Sequence, residues 1–146
     1  MKQLLLAIFV LIGLQSSMPD LKNGNVVIVV EGLEKVEGRI AAMIFNQEEG
    51  FPEDSASAYA SLEVEVINER PVLIFSDLPH GKYAVSLIHD VNGNRNLDKN
   101  FIGIPTEPFG FSNNKSIISG LPKFRDAAFE LSTDTFESTI KLIEIF

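Results

Sequence analysis

The chain has 146 residues, with 20 acidic against 12 basic side chains, a net charge of −8 and no cysteine. That balance argues against nucleic acid, whose binding rests on neutralising phosphates with Lys and Arg, and against anionic membrane surfaces. Disulfides and a thiol nucleophile are excluded, so the fold depends on its apolar core alone.

Lys2 is the only charge before the apolar run Leu4 to Leu14, which exits into Gln15, Ser16 and Ser17. A basic start, a short apolar stretch and small residues behind it predict a secretory signal peptide over residues 1–17. The run is shorter than the ~20 residues a spanning helix needs. Its removal leaves one domain, residues 18–146, with 11 basic against 20 acidic side chains. The localisation expected is periplasmic or extracellular, with no membrane insertion after cleavage.

Val26-Val27-Ile28-Val29-Val30 predicts a strand buried on both faces, or on one face with an apolar partner on the other. Gly38 to Phe45 reads as the second strand of a hairpin with it, Ile40, Ala42 and Ile44 sharing one side. Asn46 to Ala60, with Gly50 and Pro52, reads as a surface crossing with one short helical turn, pinned by Phe51 and Tyr59. Leu62 to Val66 alternates apolar and acidic residues, as a strand with one wet face does. Val72 to Phe75 is a further strand, and Ser76 to Tyr83 a turn between strands. Tyr83 to His89 is the next strand, with Tyr83, Val85 and Leu87 on one face and Ala84, Ser86 and Ile88 on the other. Phe136 to Ile143 alternates again. About seven short strands without a long helical period predict an all-β fold, a single antiparallel β-sandwich.

Several stretches together resemble the DUF2141 family of exported bacterial proteins. They are Gly81-Lys82-Tyr83-Ala84-Val85, His89-Asp90-Val91-Asn92-Gly93-Asn94, Leu97-Asp98, Phe101-Ile102-Gly103-Ile104-Pro105 and Gly110-Phe111-Ser112-Asn113-Asn114, followed by Phe124 and Asp126 to Phe129. The resemblance covers the mature chain and implies an immunoglobulin-like or prealbumin-like sandwich, but no activity. Arg95 stands where the family more usually has Gly; a left-handed residue there would cost about 1–2 kcal/mol.

Asp90, Asn92, Asn94, Asn96 and Asp98 occupy alternate positions, the spacing with which a calcium loop begins. Carboxylate and amide oxygens in that pattern suit a hard cation and make these five residues a candidate Ca2+ site. Arg95 and Phe101 depart from the calcium pattern, and a further donor such as Glu107 or Asp126 would be needed to complete a shell. The alternative is a structural loop in which Asn92-Gly93 makes a type I′ hairpin turn and nothing is bound. Phe101, Phe109 and Phe111, among Pro105 and Pro108, form a candidate ledge for a protein or glycan partner; alternatively the rings cap the core. His89 is expected to satisfy a loop carbonyl and His80 to be solvated. No catalytic constellation is recognisable, and the function expected is a non-enzymatic binding or structural module. The alternatives are a hydrolase of extracellular carbohydrate or peptide using His89 and Asp90, and a carrier of a small apolar ligand between the sheets.

Overall fold

The computed structural model describes residues 22–145. The expected signal peptide, residues 1–17, lies outside the described residues. Eight strands run in the order β1 (Asn23–Glu31), β2 (Arg39–Phe45), β3 (Ala60–Glu65), β4 (Val72–Pro79), β5 (Gly81–Asp90), β6 (Phe109–Phe111), β7 (Phe129–Leu131) and β8 (Thr135–Lys141). A 3-10 turn at Ser112–Asn114 and a one-turn helix at Phe124–Ala127 fall between β6 and β7. Strands β4-β1-β8 form one sheet; β3-β2-β5-β6 form the other, with β7 pairing β5. The arrangement is all-β and sandwich-like.

The core lies between the sheets because β-branched side chains recur with the strand period of two. Val26, Ile28 and Val30 of β1 meet Ile40, Ala42 and Ile44 of β2 and Tyr83, Val85 and Leu87 of β5, all buried. On the outer side of β1, Val27 and Val29 face Ile74 and Val72 across the β4 ladder, so the β-branched run does have an apolar partner on its second face.

Four expectations are corrected. Strands β1 and β2 are not a hairpin: β1 is flanked by β4 and β8 on its two edges, so the chain crosses to the other sheet before β2 begins. The sandwich is not wholly antiparallel, because β8 returns parallel to β1. Ser76 to Tyr83 is not one long turn; β4 continues to Pro79 through a bulge. Asp77 there adopts φ 59, held by Asn23 Nδ2 on Asp77 Oδ1 (2.8 Å) and by Asp77 N on Asn25 Oδ1 (3.2 Å). The extra residue lets Phe75 and Leu78, three apart, both face the core. Lastly, His80 is half-buried, with an unpartnered Nε2 out of reach of solvent.

Strand β5 is buried on both faces. Its outer face is covered by the 46–59 crossing, where Phe51 meets Phe45, Phe111 and Phe124 edge-on and Ser86 Oγ donates to the Pro52 carbonyl at 2.8 Å. That crossing makes successive turns rather than one helical turn: Phe51 N donates to Glu48 O (3.3 Å), Asp54 N to Gly50 O (2.8 Å) and Ser57 N to Asp54 O (3.1 Å). Tyr83 is buried and donates its hydroxyl to the Pro79 carbonyl at 2.7 Å, pinning the β4–β5 corner.

Candidate functional site

Asp90 ends β5 on the outer face, 1% exposed, and its carboxylate organises the loop that follows. Oδ1 accepts from the backbone N–H of Gly93 (2.7 Å) and Asn94 (3.2 Å), and Oδ2 from that of Arg95 (2.8 Å). Bonding three backbone donors to one carboxylate rolls the chain into a tight coil. Asn92 Oδ1 then accepts from Asn94 N at 3.0 Å, and Asn94 Oδ1 from Asn96 N at 2.8 Å, the local bonds that short amide side chains favour. The Asn92 and Asn94 amides both donate to the Asp98 carboxylate, Asn94 Nδ2 at 2.8 Å from Oδ1.

Glu107 closes the coil from the far end. Buried, it accepts from Val91 N (3.1 Å) and Asp98 N (3.2 Å), bridging the two ends of the coil. Between Asp98 and Glu107 the chain doubles back: Thr106 N donates to Asp98 O, and Asn100 N to Ile104 O, each at 2.8 Å. The Asn100 side chain accepts from Ile102 N and Ile104 N, both at 3.0 Å, and fixes the tip from inside. On that tip Phe101 is 98% and Ile102 64% exposed.

The five candidate cation residues are thus in one coil, though not with oxygens converging on one point. Asn92, Asn94 and Asp98 meet; both Asp90 oxygens are turned to backbone N–H groups; Asn96 Nδ2 folds back on Asn94 O at 3.0 Å. Of the two supplementary donors considered, Glu107 adjoins Asp98, whereas Asp126 is bound to Lys123 N beside the short helix. Among the described residues no group of three or more His, Cys, Asp or Glu is arranged to hold a metal. Asn92-Gly93 is not a type I′ turn, because Gly93 alone of the pair has positive φ (76°) and β5 pairs with β6, which begins only at Phe109, rather than with the residues just after Asp90. Arg95 does take the left-handed conformation, φ 65, and its Nε lies 2.8 Å from Glu63 Oε1, while Arg39 holds Glu63 Oε2 at 3.2 Å.

The aromatic ledge is split. Phe109 and Phe111 are 3% and 5% exposed and unavailable to a partner at the surface. Their register opposite Ile88 and Ser86 turns both rings onto the outer face of β5, where Phe111 meets Phe51 of the 46–59 crossing and Phe109 packs on Phe111. Only Phe101 of the three is presented. His89 is buried with Nε2 2.7 Å from the Glu37 carbonyl, the loop-carbonyl role expected of it, and it points to the face opposite Asp90. Sequence reasoning missed Asn100, although it continues the alternate Asp/Asn spacing of Asp90 to Asp98 by one more step.

Fold and site define a two-sheet β-sandwich that carries a self-bonded Asp/Asn coil and an apolar tip on the β5–β6 connection. The chain belongs to the DUF2141 family, described as an uncharacterized protein conserved in bacteria, whose family model matches residues 28–139. Comparison with curated proteins gives no match, nor does comparison with solved structures. Among the described residues no helix is long and apolar enough to cross a membrane.

Proposed function

We propose that this is an exported, non-enzymatic binding module on an immunoglobulin-like or prealbumin-like sandwich, with residues 99–105 as its contact element. The observation that carries this reading is Phe101, 98% exposed beside Ile102 on a turn fixed by Asn100, Asp98 and Glu107. Leaving two large apolar side chains in water on an ordered turn gains the free protein nothing. Burying them in a partner returns ~1.5–3 kcal/mol each, and the fixed backbone spares the ordering cost of binding. The Tyr83–Pro79 corner supports the immunoglobulin-like assignment, since such corners tie strands at the same place in those folds. The partner is a protein or glycan of the periplasm or extracellular space.

The hydrolase reading has less support, because His89 is turned to Glu37 and Asp90 to three backbone donors. The carrier reading likewise meets an interior already filled by Ile28, Ile40, Ile44, Leu73 and Val85.

A photoreactive phenylalanine analogue at position 101, in cells making the full chain, tests the contact role. A discrete cross-linked species is expected from position 101 and not from position 137 on the opposite sheet; equal yields from both would refute it.

A second reading is favoured by Arg95, which adopts the sharp-turn conformation that a calcium loop needs at that position. In that reading the closed coil is the ion-free form. Ca2+ displaces the Asn92 and Asn94 amide nitrogens from Asp98 and is held by oxygens of Asn92, Asn94, Asp98 and Glu107, with Kd on the order of 10⁻⁴–10⁻³ M. A rise in Tm of chelator-treated protein at millimolar Ca2+, abolished by Asp98→Asn, is expected; an unchanged melt would refute calcium binding by the coil.

A further inference from the structure

We propose that Asn92-Gly93 is a spontaneous deamidation site which the closed coil holds off, and whose conversion opens the coil irreversibly. This stands independently of whether the tip meets a partner or the coil meets calcium.

The reaction needs only water. The backbone nitrogen of Gly93, on losing its proton, attacks Cγ of Asn92; the bond from Cγ to Nδ2 breaks and ammonia leaves. Water then opens the resulting succinimide at one of its two carbonyls, giving aspartate or its β-linked isomer at position 92. Gly93 suits the chemistry because no side chain shields its nitrogen, and a Cβ there would meet nothing within 4 Å, so solvent reaches the bond. Asn92 itself is exposed.

The coil restrains both reacting groups. The Gly93 N–H donates to Asp90 Oδ1 at 2.7 Å, so losing that proton would leave a negative nitrogen against a carboxylate. The Asn92 carboxamide is held at both ends, by Asn94 N on Oδ1 and by Asp98 Oδ2 on Nδ2. Attack therefore awaits local opening, and its rate is scaled by the opening equilibrium. After reaction, a carboxylate at position 92 faces Asp98 where an N–H donor stood. Two like charges then replace a hydrogen bond in the strand of contacts that carries Asp98, whose own N and O anchor the base of the tip.

The chain contains an internal comparator. Asn23-Gly24 is a second Asn-Gly pair, set in β1 with Gly24 opposite Leu78 and Asn23 Nδ2 on Asp77. Peptide mapping by mass spectrometry would follow both sites during incubation of the full chain in chelator, native and in urea. In native protein Asn92 is expected to convert about tenfold or more slowly than in urea. In Asp90→Ala, Asn92 should accelerate while Asn23 stays slow, which separates opening of the coil from unfolding of the sandwich; Asp98→Ala is read in the same way. Native wild type converting at Asn92 as fast as in urea would overturn the proposal, as would variants that leave both sites slow. The consequence is read separately: Asn92→Asp should speed hydrogen exchange at Asn94, Arg95 and Thr106, and unchanged exchange would refute the opening.

Discussion

The Asp90 carboxylate accepts from the backbone N–H groups of Gly93, Asn94 and Arg95 at the end of β5. Replacing it with Ala leaves Gly93 N and Arg95 N without that acceptor, while Asn94 N keeps Asn92 Oδ1, and Asp90→Ala is expected to cost about 2–4 kcal/mol in urea unfolding. Arg95 shows two effects nearly cancelling. A glycine would relieve ~1–2 kcal/mol of left-handed strain, but would lose ~0.5–1 kcal/mol in chain entropy and an exposed pair with Glu63 worth about 0–1 kcal/mol. Arg95→Gly is therefore expected to be close to neutral, whereas Arg95→Val, β-branched at positive φ, should lower the unfolding midpoint clearly. Tyr83 adds a pH dependence. Burial, and secondarily Tyr59, raise its hydroxyl above the ordinary 10.0. Below that value the phenol is neutral folded and unfolded; as pH rises past it the unfolded chain ionises first, so stability falls towards the folded value. Unfolding at about pH 8 and about pH 11 should show this fall in wild type and a shallower one in Tyr83→Phe. At this scale the sequence was informative: the alternate spacing of Asp90 to Asp98 marks the coil, and Arg95 in a glycine's place marks the strained residue. It did not distinguish Phe101 from Phe109 and Phe111. All three sit among Gly and Pro, and only the β6 register decides which rings are covered.

The connections between strands were harder to read than the strands themselves. Alternation along Leu62 to Val66 corresponds to β3, which begins two residues earlier at Ala60. Ser76-Asp77 broke the alternation of β4 and so resembled a turn, although it is one inserted residue with the strand continuing on the same face. Partnering is set by distant residues and left no local mark, which is why the β1–β2 hairpin was expected and the parallel β1–β8 pair was not. Gly38 illustrates how tightly one connection fits the site. At φ 72, a Cβ there would lie 2.6 Å from the Asp90 carbonyl oxygen and 2.7 Å from Val91 Cα. Both obstacles are backbone, so Gly38→Ala should destabilise the protein by more than the ~1–2 kcal/mol of left-handed strain, and should loosen the Asp90 coil. Thermal melts and amide exchange of residues 93–95 would measure both.

At the scale of the whole molecule, one side of the sandwich is closed by the end of the chain. Strand β8 pairs with β1 as far as Lys141; then Ile143 exchanges two backbone bonds with Phe109 of the other sheet, at 2.7 and 3.1 Å. Ending the chain at Leu142 should therefore free one edge of β6, which keeps its ladder to β5, and lower Tm, although the deleted residues lie far in sequence from the coil. The same closure fixes where the tip emerges, since β6 receives the chain as it leaves Glu107 and Pro108. A sandwich held this way presents Phe101 and Ile102 on an ordered connection. Amide hydrogen exchange of the full chain in chelator tests it most directly. Gly93, Asn94, Arg95, Ile102 and Ile104, on a loop whose side chains are largely exposed, should exchange at least about tenfold more slowly than an unstructured chain, with the protection of residues 93–95 lost in Asp90→Ala. Unprotected exchange at these amides in the wild-type protein would mean that the connection is not ordered and that Phe101 and Ile102 are not presented on a fixed turn.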